Sequence, residues 1–464
     1  MTLRVQLVFV GEPFNREAVI HTLRHAAMRA DWQITLDANA EHRIVYATTD
    51  DANEIDARPN DVVILSSRAV ADHLQSSDEP FPLGANRLPF PHSLQRNDWI
   101  CADVIAGACA AMNLWYEERT RADVRDGWIA WRDDWMARVG LSEPAPLADE
   151  WLAEIVRAAK QKGWRTSESR DAFTIVLTHD VDYLPGAFDR GLPRVMRAIA
   201  RQIILRRRPL DAMRLLMRYW QSPQPYFSFD AVMRAEALRG ARSSFQLVVA
   251  HRHRFDPDYA IAREPIASAL QKIAASDWEI CLHGSYAATR TPDMLCAERI
   301  GLEREIGAPV RGHRQHYLNF YPSRLFDAVE RAGLDYDLSV GYNDASGARA
   351  GTCFPYRPFN LTANHAHNFW EIPFVLMDTT LATTHCFAPR EAFQYSQKIL
   401  APIAQARGCV ALIWHLEQLS GLLDPGFERV YFDLLDWLCE QGARMVAGKH
   451  LVREWQDAWT QTLE

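Results

Sequence analysis

Short apolar, β-branched runs alternate along most of this chain with stretches whose apolar residues recur at helical spacing. Arg4 to Val10 has the strand pattern, and Asn15 to Trp32 then repeats apolar positions as one face of a helix does. Arg43–Ala47 and Asp61–Leu65 are further strand-like runs, and a helix carrying Ile105, Cys109, Met112 and Trp115 follows. This first section, 1–146, predicts a smaller α/β unit. It holds no glycine-rich phosphate loop and no histidine cluster, so nothing in it specifies chemistry. Leu147 to Trp164 reads as an amphipathic helix, after which the character changes. Strand-like runs at 174–178, 244–250, 278–282, 370–377 and 409–414 alternate with helical stretches at 228–238, 264–275, 322–332, 389–405 and 427–441. That alternation predicts a parallel sheet or barrel over 165–464, whose chemistry sits at the C-terminal ends of its strands.

Composition narrows the function classes. The chain has 464 residues, 48% of them apolar, enough for two or three domains with their own cores. Lys plus Arg number 51 against 59 Asp plus Glu, a formal charge of −8. A mildly acidic chain is not built to neutralise phosphates, which argues against nucleic acid as a partner. Eight cysteines are scattered with no CxxC pair, excluding a zinc ribbon and reading as small core residues of a reducing compartment. The N-terminal residues lack an apolar stretch followed by a small-residue cleavage site, and the longest apolar run, Val104 to Tyr116, is short for a bilayer span. The expected location is the cytoplasm.

One segment departs from the rest. Residues 190–218 carry nine arginines and no lysine, with Val195, Met196, Ile199, Ile203 and Ile204 interleaved. Such a basic amphipathic stretch suits anionic lipid or a phosphate-linked substrate, and it suits a solvated helix face packed on the barrel.

Titratable residues collect at the ends of the strand-like runs. Thr174–Asp182 runs straight into Asp180 and Asp182, which share one face of a strand while His179 takes the other. Two carboxylates this close repel unless a cation or an arginine sits between them, though a capping cluster at a strand end uses the same residues. Trp278–Leu282 ends in His283, Ile372–Met377 in Asp378, and Val410–Trp414 in His415. In Val310–Leu318, strand alternation puts Arg314 and His316 on one side, His313 and Gln315 on the other. Two imidazoles and a carboxylate with an open position for water form a common catalytic metal arrangement.

Taken together these pieces resemble the NodB-type polysaccharide deacetylases, carbohydrate esterase family 4. Thr178-His-Asp-Val-Asp182 is similar to the family's first motif in its DxD variant, His283-Gly-Ser-Tyr to the second, Arg314-Gln-His-Tyr to the third and Leu412-Ile-Trp-His415 to the last. Tyr226–Asp230, Arg242-Ser-Ser-Phe and Met377-Asp-Thr-Thr-Leu resemble a bacterial subgroup with an extra N-terminal domain. The resemblance covers roughly 165–425, in the family's order. It implies a deformed (β/α) barrel of NodB type beside the smaller N-terminal α/β domain, with the arginine-rich 190–218 as an insert. It also implies metal-dependent hydrolysis of an N-acyl or O-acyl group on a sugar. Carried over by motif, Asp180 falls on the catalytic base, Asp182 and His283 on metal ligands, Arg314 on the arginine that positions the base, and His415 on the general acid. Asp378 is a candidate to orient His415.

There is one departure. The family's second metal histidine stands four residues after the first, and here that position is Ala287. Either His316, which replaces the family's usual proline, supplies the missing ligand, or the metal is weakly held or absent. The leading expectation is a hydrolase that uses a divalent cation, zinc being the expected ion, to remove an acetyl group from a cell-surface glycan or its cytoplasmic precursor. The alternatives are another non-peptide C–N hydrolysis on the same fold, such as opening a cyclic amide, and a catalytically dead glycan-binding or scaffolding protein.

Overall fold

The computed structural model describes residues 2–38, 40–121, 129–166, 172–184, 191–204, 206–222 and 226–463. The β-branched runs near the N-terminus form β1 (Leu3–Val10), β2 (Trp32–Thr35), β3 (His42–Thr48) and β4 (Val62–Ser66), a parallel sheet in the order β2-β1-β3-β4. Helix α1 (Arg16–Ala30) connects β1 to β2, and the Asn15 side chain caps it by accepting from the Ala18 amide. Helices α2 (Arg68–Ser76), α3 (Val104–Met112), α4 (Trp115–Arg121) and α5 (Trp135–Arg138) follow. Every residue of α3 is buried, which is why its run of small and apolar residues shows no polar face. Helix α6 (Leu147–Gln161) packs on α3 and α1.

The second sheet starts at β5 (Thr174–Val181). Helices α7 (Leu192–Ile204), α8 (Pro209–Gln221) and α9 (Phe229–Ala237) precede β6 (Ser244–Leu247), and α10 (Ile266–Ala274) leads to β7 (Glu279–Gly284). Next come α11 (Pro292–Ile306), β8 (Gly312–Gln315), α12 (Pro322–Arg331) and β9 (Tyr336–Asp337). A small hairpin, β10 (Phe359–Asn360) with β11 (His365–Ala366), precedes β12 (Trp370–Glu371) and β13 (Phe374–Met377). The chain ends in α13 (Pro389–Gln405), β14 (Cys409–Ile413), α14 (Phe427–Glu440), β15 (Arg444–Val446) and α15 (Gly448–Thr460). Among the described residues, no helix is long and apolar enough to cross a membrane.

The order in this sheet is β12-β9-β8-β7-β6-β5-β14-β13, all parallel, with β15 beside the first half of β5 and β6 beside its second half. Only Ile372 and Pro373 separate β12 from β13, yet the first pairs with β9 and the second with β14. The Ile372 amide donates to Asp337 O (2.9 Å) and the Phe374 amide to Val340 O (3.1 Å), so one segment leaves one edge and joins the other. Proline, which has no N–H to offer a ladder, stands at the crossing. The sheet thereby curls into a deformed α/β barrel closed by a strand that changes partners.

The two sheets share one continuous apolar interior. At their seam the Arg349 guanidinium, buried, holds Glu117 through Nε–Oε1 at 2.9 Å and Nη2–Oε2 at 2.5 Å. The Ile34 amide of β2 donates to Thr462 O beyond α15, and the Ala148 amide at the start of α6 donates to Gly351 O.

Candidate active site

The C-terminal ends of β5, β7, β8, β13 and β14 meet on one face of the barrel. Asp180 is the penultimate residue of β5 with Asp182 just past its end, and His283 is the penultimate residue of β7. Arg314 is in β8, Asp378 follows β13 directly, and His415 stands two residues past β14. His316 departs from the strand expectation: β8 stops at Gln315, and His316 opens a single helical turn in which Tyr317 takes a left-handed φ of 58°. The turn still aims the imidazole at the same centre. Gly284 is required beside it, because a Cβ there would lie 2.5 Å from His313 Nε2 and 2.9 Å from Gln315 Oε1.

Arg314 Nη1 donates to Asp180 Oδ1 at 2.6 Å and to Thr178 Oγ1 at 2.7 Å, while its Nε donates to Leu338 O. Asp180 Oδ2 lies 3.6 Å from His283 Nε2. His415 Nδ1 is 2.6 Å from Asp378 Oδ1, and Asp378 Oδ2 accepts the His415 amide. This fixes the ring with Nε2 facing inward, 3.6 Å from Asp182 Oδ2. All of the candidate residues therefore surround one small volume, with Asp182 in the middle.

Three ligand atoms in that volume lack a mutual explanation. His283 Nδ1 is 2.8 Å from Arg314 O and His316 Nε2 is 3.0 Å from Phe255 O. A carbonyl can only accept, so each of those nitrogens carries the hydrogen, and the other nitrogen of each ring, when the ring is neutral, presents a lone pair. Those two lone pairs, His283 Nε2 and His316 Nδ1, face each other at 3.0 Å. Asp182 Oδ1 lies 3.3 Å from the first and 3.5 Å from the second, and it is buried with no hydrogen-bond partner. Three ligand atoms converge on one centre and could hold a cation, and two imidazoles with one carboxylate are a donor set that divalent transition metals use. The carbonyls that orient the two rings are the kind of support that metal-bound histidines use. The residues present fit the group that the resemblance implies, and Asp182, His283 and His316 would hold it.

The charges follow the same division. Burial pushes the Asp180 and Asp182 carboxyls up, but Arg314 and the surrounding imidazoles outweigh it, and both lie below the usual carboxylate range. Burial pushes the His415 imidazole down, but the Asp378 charge and hydrogen bond hold it well above the ordinary histidine value. The arrangement therefore supplies an ionised carboxylate on one side of the cation site and a protonated imidazole on the other.

Strand alternation also holds for the residues expected to face away. His179 turns to Trp414 O and Glu236, and His313 to Asp337, on the far side of β5 and β8. Sequence reasoning missed Glu417. It is buried two residues past His415, paired with Arg194 of α7 at 2.8 Å, and burial raises its carboxyl to about 7 against the pull of Arg194 and His415. Its place shortly after a strand-end histidine was the available signal. Phe255, whose carbonyl holds His316, lies in the loop after β6, where nothing in the pattern marked it.

No family model and no curated protein matches this chain. Among solved structures, one named as a polysaccharide deacetylase from Mycobacterium smegmatis shares 15% identity, with 63% of this chain and 92% of that one aligned at a TM-score of 0.41. The Puue allantoinase shares 13% over 61% of this chain and 89% of its own, with a TM-score of 0.40. A CE4 family pseudoenzyme from Bacillus anthracis shares 10% over 61% and 66%, with a TM-score of 0.31. A deacetylase, an allantoinase and a pseudoenzyme are similar to the chain at such low scores that the likeness decides nothing among their activities; the site's own chemistry has to.

Proposed function

We propose that this chain is a metal-dependent hydrolase that removes an N-acyl group, such as acetyl, from a sugar of a cell-surface glycan or its precursor. The observation that carries the reading is the convergence of Asp182, His283 and His316 lone pairs between an arginine-held Asp180 and an aspartate-held His415. Asp182, His283 and His316 would hold a divalent ion, zinc being the first choice for this donor set. Bound there, it would polarise an acyl carbonyl and acidify a water molecule.

The rest is the work of the chain's own side chains. Asp180, kept ionised by Arg314, accepts the proton of the attacking water. His415, already protonated and aimed by Asp378, donates from Nε2 to the departing nitrogen. The Asp378 hydrogen bond keeps the other ring nitrogen from competing for that role.

A sugar is favoured over a small cyclic amide by the wall beside His316. Tyr317, half exposed, packs 4.6 Å from the His316 ring, and Phe255 lies 5.3 Å from Tyr317 with Tyr286 behind both. Aromatic faces that stand partly in solvent next to a catalytic centre suit the apolar face of a pyranose.

The test is release of acetate from N-acetylated oligosaccharides by the purified chain, before and after chelation and readdition of zinc. Metal-dependent release that Asp180→Asn abolishes supports the reading. Tight saccharide binding without turnover under any metal supports the dead glycan-binding protein instead, and turnover of cyclic amides alone supports the other hydrolase.

A further inference from the structure

The arginine-rich segment forms a helical hairpin, not the single helix its pattern suggested. Helices α7 and α8 break around Arg206–Arg208 and pack against each other. Each has two apolar stripes. One points inward: Val195 and Ala198 of α7, Ala212, Leu215 and Tyr219 of α8. The other points to solvent. On α7 it runs through Met196, Ile203 and Ile204, spaced i, i+7, i+8, and on α8 through Met213, Met217 and Trp220, spaced i, i+4, i+7, each the spacing of one helix face. Ile204 is 71% exposed and Trp220 65%. A second apolar stripe left in water on both helices of a hairpin is a contact surface.

The arginines divide the same way. Arg194, Arg201, Arg206 and Arg218 are taken by Glu417, Asp424, Asp424 and Glu428, so they bind the hairpin to the loop and helix just past His415. Four of the nine arginines are thus already paired, and Arg190 lies outside the described residues. Arg197, Arg207 and Arg208 remain exposed, with no carboxylate paired to them among the described residues. Asp211 is the sole acidic residue of the two helices, and Arg214 pairs with it. The outward face is thus apolar, rimmed by arginines that outnumber the one acidic residue of the two helices, and fastened at its base beside the mouth of the candidate site.

We propose that the outer face of the α7–α8 hairpin docks on an anionic phospholipid bilayer. Methionines, isoleucines and a tryptophan would enter the interface while the rim arginines meet headgroup phosphates, the pattern of helices that lie in a membrane surface. A second copy of the chain is disfavoured, because pairing two such faces would bring like-charged rims together. The docking does not depend on the hydrolase reading. If that reading also holds, the substrate would be reached from the membrane side.

The test is flotation of the full chain with vesicles of phosphatidylglycerol and phosphatidylcholine, against phosphatidylcholine alone. Binding is expected only with the anionic vesicles and to weaken with salt. Each rim arginine contributes about fivefold in partition near an anionic surface, so Arg207→Glu with Arg208→Glu should lower it by more than about tenfold. Ile204→Glu with Trp220→Glu, and separately Met196→Glu with Met213→Glu, should abolish flotation without moving the melting temperature. Failure to float with anionic vesicles overturns the proposal, as does flotation that all three variant pairs retain. A concentration-dependent dimer lost in Ile204→Glu/Trp220→Glu, with no flotation, assigns the face to a second copy instead.

Discussion

Two histidine–carboxylate clusters lie back to back across β5, built from alternate residues of it, and they differ in whether their polar atoms are spent. On one side His179 gives one nitrogen to Trp414 O and the other to Glu236 Oε1, each at 2.8 Å. Glu236 Oε1 also accepts from Tyr431 Oη, while its Oε2 accepts from Ser243 Oγ and Trp278 Nε1. Both His179 nitrogens and both Glu236 oxygens have protein partners. On the other side, Asp182 Oδ1 has none and two imidazole lone pairs oppose each other. Burial and a paired histidine are common to both. What separates a structural cluster from a candidate reaction centre is the unfilled donor demand at its middle.

The comparison breaks most directly under matched amide substitutions. Asp180→Asn should lower turnover of an acetylated saccharide by roughly 10²–10⁴-fold, because the general base is lost while the hydrogen bond from Arg314 survives. Its metal content and melting temperature should stay near the parent's. Glu236→Gln should do the reverse, costing about 3–5 kcal/mol of stability by leaving buried donors unmatched, with metal content unchanged in the folded fraction. Denaturant unfolding and elemental analysis on both variants decide it. A stable Glu236→Gln protein with lost metal would mean the two clusters are one functional unit.

A gentler change sharpens the electrostatic half of the contrast. His415 is held above the ordinary histidine value by Asp378, so the protonated acid persists through neutral pH and is lost as pH rises through that raised value. Asp180 lies below the ordinary carboxylate value, so the acid limb of kcat/KM falls below it. Asp378→Asn removes the opposing charge. The alkaline limb should move down by roughly one to three pH units, with the acid limb unmoved. An unmoved alkaline limb would take the general-acid role from His415. Smaller still, Tyr317→Ala should raise KM for an oligosaccharide by about two- to tenfold with kcat little changed, as the loss of one aromatic contact does.

Much of this was legible in the chain. Apolar strands that run into Asp180, His283, Asp378 or His415, with Arg314 in a polar strand between them, pointed to the barrel and to the rim where these residues gather, since side-chain alternation and the parallel topology put them on one side. Alternation likewise placed His179 and His313 on the opposite side. For His316, strand parity was extended one residue too far: β8 stops at Gln315, and the helical turn with Tyr317 at positive φ does the aiming. The Glu417–Arg194 pairing and the Phe255 carbonyl could not be read. Their roles depend on which loops meet over the barrel mouth, a long-range matter that local periodicity does not encode. The strand exchange at Pro373 was hidden for a similar reason, because residues 370–377 read as one uninterrupted strand until their two partners are known.

The central claim is that Asp182, His283 and His316 form one divalent-cation site in which His316 takes the place left by Ala287. Metal content of the purified chain, measured beside His316→Ala after identical dialysis against zinc-free buffer, tests it without recourse to substrate. The account predicts one divalent ion per chain in the parent and its loss from a folded His316→Ala protein. Equal metal in the two proteins, or none in the parent even after loading with zinc, would contradict it.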